Sequence, residues 1–276
     1  MTLLSGRSVV VTGAGKGLGR AYALACAAHG ADVVVNDVDE QGAYDCAREI
    51  VAAGGRAVHI AGSVASWDVA AEMVEIALRR FGRLDGLVAN AGIIHNALPW
   101  DEDEASLRRI VEVNVLGVLF CATHAMRAMV RQGTGGSIVT VVSGARFGIE
   151  GMSTYGATKG AVAAMTAAWA HEGAAVGIRV NAISPLAATD MAAYDHRADP
   201  PPLGSPEDVA PAVVALLSDA TDGLTGRIIR FDGVTLSRYE PERLTVIGEP
   251  PGPDRAGTVW RAAPEAIARI LMQPDS

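Results

Sequence analysis

The sequence predicts an α/β domain of the doubly wound type, with helices on both faces of a parallel sheet. Three observations carry that expectation. Short β-branched runs alternate with helix-length segments through residue 183, the order that right-handed βαβ units produce. A glycine-rich loop sits directly between the first such run and the first helix. Half of the 276 residues are apolar, enough for the core of one large domain or two small ones.

The first strand is Ser8 to Val11, followed by Thr-Gly-Ala-Gly-Lys-Gly-Leu-Gly at residues 12 to 19 and a helix through Ala21 to His29. Strand, glycine loop and helix in this order form the setting of a dinucleotide site, where the helix N-terminus supplies amide donors and partial positive charge to phosphates. Gly13 makes the tight turn, Gly17 lets backbone approach a pyrophosphate, and Gly19 lets the helix pack on the strand, with Lys16 and Leu18 between them. The second strand, Asp32 to Asn36, ends at Asp37. A carboxylate there accepts both hydroxyls of an adenosine ribose and repels a 2′-phosphate; the plainer alternative is a turn residue.

Next come a helix over 40–53, a strand over 56–60, a helix over 66–81 and a strand over 86–89 that runs into Asn90-Ala91-Gly92. A small-residue break at that edge of a parallel sheet is where ligands sit. The apolar helix from Ile110 to Val130 contains Asn114. Its amide needs a partner if buried, either as a functional group or as a kink satisfied by a backbone carbonyl. The run Ile138 to Val142 is a buried strand that leaves Ser143 at its C-terminal edge, and Ile178 to Ile183 is a sixth strand. A helix beginning near Ser153 presents Tyr155 and Lys159 one turn apart on one side. An ammonium about 6 Å from a phenol, at an effective dielectric near 20, favours the phenolate by roughly 3 kcal/mol, or about two pH units. Taken alone, the same spacing also describes an ordinary helix-surface pair.

The net charge of −8 argues against a nucleic-acid partner. Cys26, Cys46 and Cys121 lie singly in helical patterns, without metal or disulfide spacing, and read as core residues of a reduced, cytoplasmic protein. The N-terminus lacks a secretory layout, and no uninterrupted apolar stretch approaches the ~20 residues of a membrane span. No membrane role is expected.

Together, Thr-Gly-x-x-x-Gly-x-Gly, Asn90-Ala91-Gly92, Asn114, Ser143 and Tyr155-x-x-x-Lys159 resemble the motifs of the short-chain dehydrogenase/reductase family, in order and over residues 6 to about 235. The resemblance implies a single Rossmann-type doubly wound domain with a seven-stranded parallel sheet over residues 1–236, its last strand within Gly223 to Gly233, and a C-terminal extension over 237–276. It implies hydride transfer between NAD(H) and a secondary alcohol or ketone. Tyr155 would exchange a proton with the substrate oxygen and Ser143 would hydrogen-bond it. Lys159 would lower the tyrosine pKa and bind the nicotinamide ribose, and Asn114 would hold a water linking Lys159 to solvent. An NADPH-dependent biosynthetic ketoreductase is the alternative enzyme. A dinucleotide-sensing binding protein without turnover is the alternative of another class, and the complete tetrad speaks against it.

The chain departs from the family pattern at several points. The usual Pro-Gly after the sixth strand is Pro185-Leu186, with Thr189 one residue closer than is typical, as in a branch resembling the dehydrogenase domain of peroxisomal multifunctional enzymes. Leu186 puts the nicotinamide contact of that loop in question. Ser63, ahead of Val64, replaces the aspartate that usually meets adenine, so contact there should be weaker or come from backbone. A basic residue at Lys16 accompanies NADP in some relatives, but a phosphate dianion beside Asp37 costs several kcal/mol unless offset, which favours NAD.

Substrate walls in this fold come from loops that here contain Ile94, His95, Trp100, Arg146, Phe147, Met191 and Tyr194, with Pro200-Pro201-Pro202 stiffening the last loop. The helices over 110–131 and 153–175 carry more apolar and alanine-rich surface than one sheet face covers, so a homo-oligomer is expected, a tetramer with two-fold axes by the resemblance. The extension divides into a proline-rich connector over 240–253 and a short helix over 264–272 with a stripe of Ile267, Ile270 and Leu271, anchored by Trp260. At about 3.3 Å per residue the connector spans roughly 45 Å, enough to reach a neighbouring subunit. The extension is thus expected to pack across an interface and close part of the substrate entrance.

Overall fold

The first β-branched run forms β1 (Ser8–Thr12), and the glycine loop after it leads into α1 (Gly17–Ala28). The alternation continues through β2 (Asp32–Asp37), α2 (Glu40–Ala52), β3 (Arg56–Ala61), α3 (Trp67–Phe81) and β4 (Gly86–Ala89). The second half comprises α4 (Glu104–Val111), α5 (Gly117–Gln132), β5 (Gly136–Val141), α6 (Ser153–Ala174), β6 (Ile178–Pro185), α7 (Pro206–Leu217), β7 (Ile228–Phe231) and β8 (Leu236–Tyr239). These come from a computed structural model that describes residues 2–189 and 203–240. Met191, Tyr194, Pro200 to Pro202, Trp260 and the Ile267, Ile270 and Leu271 stripe lie outside the described residues.

The strands form one sheet in the order β3-β2-β1-β4-β5-β6-β7-β8. Seven pair in parallel, as expected, and β8 adds an eighth, antiparallel to β7. The hairpin before β8 is set by Asp232, whose carboxylate accepts the amides of Val234 and Thr235. The division drawn at residue 236 therefore falls at the start of a strand, and the first compact unit of the chain runs to Tyr239.

Alternate residues of each strand feed opposite faces, the period of an extended chain. Val9, Val11, Val33 and Val35 join the core under α1, α2 and α7, while Val10 and Val34 join the core under α3, α5 and α6. The strand order reverses beside β1, which lies between β2 and β4. That reversal opens a crevice at the C-terminal ends of β1 and β4, the usual ligand position of such sheets.

Between α4 and α5 the helix is underwound into a π turn, Glu112–Leu116. Ile110, Asn114 and Val118 are all buried, two successive steps of four. In a regular helix of 3.6 residues per turn those steps would drift about 80° off one face, and the wider turn absorbs the drift. The stretch Glu104–Gln132 is long and apolar enough, by length and composition, to cross a membrane. In this fold its Ile110, Val118, Cys121, Ala125 and Met129 are buried in protein core.

Candidate active site

The crevice at the reversal point is built around the loop between β1 and α1. Gly13 and Gly17 both have positive φ, 63° and 55°, which side chains with a Cβ rarely adopt. A Cβ on Gly17 would meet only Thr189 Cγ2, at 3.7 Å, so its outer face is open. A Cβ on Gly19 would lie 2.0 Å from the Gly13 carbonyl oxygen, which is why the helix can start so close to the strand. Lys16 occupies the N-cap of α1 without a side-chain cap, and Leu18 packs partly on the core. The first-turn amides of α1 are thus available to an anion.

Asp37 turns back onto this loop. Its Oδ2 accepts the Gly15 amide at 2.8 Å and its Oδ1 accepts the Asp39 amide at 3.0 Å. Each oxygen keeps a lone pair for a ribose hydroxyl. Asn90 is placed differently from a direct ligand contact. Its Nδ2 donates to the carbonyls of Thr12 and Gly13, at 2.9 and 3.1 Å, while the Asn90 and Ala91 amides donate to Thr12 Oγ1. Asn90 therefore staples the end of β4 to the glycine loop. Ser63 Oγ accepts the Ala65 amide within its own turn, and Val64 is buried where a Cβ on Gly117 would meet it at 2.5 Å. The uncapped helix end, the open face of Gly17 and the Asp37 carboxylate fit a dinucleotide.

Across the crevice, α6 carries Tyr155 and Lys159. It approaches the turn after β5 so closely that a Cβ on Gly156 would lie 2.5 Å from the Ala145 carbonyl oxygen. Ser143 caps that turn, its Oγ accepting the Ala145 amide at 3.1 Å, and it also hydrogen-bonds Tyr155. Lys159 is buried; its Nζ donates to the Val141 carbonyl at 2.9 Å and lies 5.7 Å from the Tyr155 ring centre. A Cβ on Gly92 would sit 3.2 Å from Asn114 Oδ1 and 3.5 Å from Lys159 Nζ, so these three residues share one corner.

Asn114 is fully buried, and both ends of its amide are used. Its Oδ1 accepts the Ile93 amide at 2.8 Å, and its Nδ2 donates to the Ile93 carbonyl and to Thr158 Oγ1, at 2.9 and 3.1 Å. The two alternatives left open by the sequence meet here: the residue is satisfied by backbone at a helical irregularity and also stands beside the lysine.

One expectation needs correction. The spacing of Tyr155 and Lys159 implies a phenol drawn below its usual pKa. Instead burial pushes the Tyr155 phenol above 10, with the Ser143 hydrogen bond opposing it. Lys159 is itself pushed down to about 8 by burial. Desolvation is the largest influence on both groups, Lys159 being buried and Tyr155 partly so.

Beside Ser143 opens a cavity of about 450 Å³, walled by Gly144, Phe147, Pro185, Leu186, Arg230 and Tyr239 among others. Arg230 and Tyr239 were not among the candidate residues, since only the β7–β8 hairpin brings them here. On the opposite flank His95 Nε2 pairs with Glu102 at 2.8 Å, and Thr154 donates to the same carboxylate at 2.6 Å. This fixes the loop after β4 against the start of α6. Trp100 is exposed, at 78 %.

A dinucleotide crevice facing a Ser-Tyr-Lys cluster defines an NAD(P)-dependent oxidoreductase. Comparison with known proteins gives the same class. The short chain dehydrogenase family model matches residues 7–199. A cis-4-hydroxycyclohexanecarboxylate dehydrogenase of Sinomonas cyclohexanicum is 41 % identical over 239 residues, covering 82 % of this chain and 95 % of that protein. An L-rhamnose 1-dehydrogenase (NAD(P)(+)) of Sphingomonas sp. (strain SKA58) is 38 % identical, covering 84 % of this chain and 97 % of its own. The crystal structure of a short chain dehydrogenase from Mycobacterium avium superposes with a TM-score of 0.82 at 33 % identity, covering 98 % of this chain and 96 % of that one. The chain belongs to the short-chain dehydrogenase/reductase family, and it acts on alcohols and ketones.

Proposed function

We propose that this oxidoreductase prefers NAD(H) to NADP(H) and works on a secondary alcohol or ketone through Asn114, Ser143, Tyr155 and Lys159. The observation that carries the assignment of residues is the convergence of Ser143, Tyr155 and the buried Lys159 at one edge of the sheet. NAD, when bound, supplies the hydride acceptor. In the oxidising direction the Tyr155 phenolate takes the hydroxyl proton of the substrate, and the Ser143 hydroxyl donates to the same oxygen as it becomes a carbonyl. The Ser143 hydrogen bond favours the phenolate against the desolvation that disfavours it, and the Lys159 ammonium, one turn away, would add to that effect. Asn114 fixes the Ile93 backbone and Thr158, and through them the corner where Lys159 sits.

The NAD preference rests on Asp37, whose carboxylate lies against the Gly15 amide and would repel a 2′-phosphate. Gly13, Lys16, Gly17, Leu18 and Gly19 would hold the phosphates, Ser63 and Val64 the adenine side, and Pro185, Leu186 and Thr189 the nicotinamide side. Asn90, Ala91 and Gly92 would floor the crevice between them. The names of the two relatives describe a ring alcohol and a sugar, which supports a compact substrate.

We further propose one catalytic domain with an extension beyond it, assembled as a homotetramer in the cytoplasm. Apolar side chains left exposed along α3, α4, α5 and the π turn, Trp67, Val111, Leu116 and Val130 at 36 to 51 %, support association. Three buried free cysteines suit a reducing compartment.

The test is fluorescence titration with NAD and NADP, followed by NADH formation from a panel of neutral alcohols, L-rhamnose and 4-hydroxycyclohexanecarboxylate. At least tenfold tighter binding of NAD and turnover of a secondary alcohol are expected. Equal affinities would remove the preference, and no turnover across the panel would remove the proposed substrate class.

A further inference from the structure

Arg230 and Tyr239 belong to neighbouring strands and face the same way. In the β7–β8 register Tyr239 stands opposite Ile228 and Arg230 opposite Ser237, and residues two apart share a face, so Arg230 and Tyr239 are diagonal neighbours. Arg230 Nη1 donates to the Tyr239 hydroxyl oxygen at 3.1 Å. That leaves the hydroxyl's own hydrogen free to point elsewhere. Both groups lie against the turn after Ser143: a Cβ on Gly144 would be 3.3 Å from Arg230 Nη1 and 3.7 Å from the Tyr239 hydroxyl.

Arg230 therefore places positive charge in the cavity wall next to the reacting edge. Among its lining residues Arg230 and Glu150 are the charged ones, and Glu150 is exposed. Among the described residues no carboxylate forms an ion pair with Arg230. Asp232, two residues on, feels the Arg230 charge, but the hairpin amides engage its Oδ1 and do most to hold its carboxyl below the usual range. Behind Tyr239, Arg146 stacks its guanidinium 5.1 Å from that ring and 4.0 Å from the Phe147 ring. Two guanidinium groups thus flank one phenol in a chain whose net charge is −8. Over the ~10 Å screening distance of ordinary salt, the local pair outweighs the distant surplus of acids.

We propose that the substrate is a compact hydroxy or keto carboxylic acid, its carboxylate held by Arg230 and the Tyr239 hydroxyl while its alcohol or ketone faces Ser143 and Tyr155. Arginine is suited to this task because its planar fork matches a carboxylate and stays charged. This inference rests on the alcohol and ketone chemistry proposed above and makes Arg230 the specificity-determining residue.

The test compares three ring substrates in one NADH assay: 4-hydroxycyclohexanecarboxylate, its methyl ester and 4-methylcyclohexanol. The acid should exceed the ester by about thirty-fold in kcat/KM, the scale of one charge-assisted hydrogen bond. Arg230→Met should collapse that ratio to within a few-fold, mainly through KM of the acid, and Arg230→Lys should restore part of it. Tyr239→Phe should lower the ratio by several-fold, and NAD binding verifies that each variant is folded. If Arg230→Met does not fold, the ratio in the parent protein and in Tyr239→Phe decides. Equal use of acid and ester by the parent overturns the proposal, as does an Arg230→Met variant that keeps the ratio. Turnover of the neutral alcohols without preference for the acid overturns this inference alone. Absence of turnover with all three and with the wider alcohol panel overturns the reading beneath it.

Discussion

Replacing Lys159 with methionine is expected to stabilise the folded protein at neutral pH while removing its activity. The ammonium is buried and its pKa falls from 10.5 to about 8. At about 1.4 kcal/mol per unit, holding it charged at pH 7 costs about 3 kcal/mol. Methionine fills a similar volume without charge but gives up the bond to the Val141 carbonyl, a loss of about 2 kcal/mol. The net is about 1 kcal/mol in favour of the variant at pH 7, or a melting temperature higher by about 2 to 4 °C. The sign of the pH dependence follows from the direction of the shift. Between pH 8 and 10.5 the unfolded chain holds the lysine proton and the folded chain has released it, so the parent gains stability as pH rises. The penalty falls to about 1 kcal/mol by pH 10, where the neutral amine's bond to Val141 offsets it and the advantage of the variant should be gone. Thermal melts of both proteins at matched concentration, from pH 7 to 10, provide the assay. A variant that melts lower at pH 7, or a gap that stays constant with pH, would refute the reasoning.

Tyr155→Phe should lower kcat by at least a thousand-fold while NAD affinity stays within a few-fold, measured by steady-state kinetics and fluorescence titration; retained turnover would place the proton transfer elsewhere. Ser143→Ala removes a hydrogen bond that lowers the Tyr155 pKa, so the acidic limb of the alcohol-oxidation profile should move to higher pH along with a loss of rate. An unmoved limb would separate the serine from the tyrosine. Asp37→Ala should narrow the NAD to NADP affinity ratio by at least tenfold in parallel titrations; an unchanged ratio would assign the preference to another residue. Asn90→Ala should cost about 1 to 2 kcal/mol of stability and weaken NAD binding, since it frees the glycine loop from β4. Equal melting and equal affinity would show the staple to be dispensable.

Much of the cofactor side was legible because its signals are local. Gly13, Gly17 and Gly19 follow a strand and start a helix, and Asp37 ends the next strand, so spacing along the chain dictates where they meet. Tyr155 and Lys159 share a helix and were readable for the same reason. The direction of their pKa shifts was not, because desolvation depends on what other elements cover them. Asn114 was visible as an oddity among apolar residues, but its partner Ile93 lies twenty-one positions away and the π turn has no sequence signature of its own. Arg230 and Tyr239 were missed because each looks ordinary in its own segment. Only the antiparallel return of β8, a short strand with three of its four residues exposed, sets them beside Ser143.

The underwound turn that carries Asn114 has a consequence for how this enzyme can change over time. Its one surplus residue keeps two helices in phase, so the buried stripes of α4 and α5 depend on a count rather than on residue type. Deleting any single residue between 112 and 116 would restore regular hydrogen bonding yet rotate one helix against the other by about 100°. Either Ile110 or Val118 would then face water, and Asn114 would leave Ile93. Substitutions in this turn can be graded, but insertions and deletions are all-or-none. The catalytic corner is thus insulated from length variation at a point where an ordinary helix would tolerate a conservative exchange.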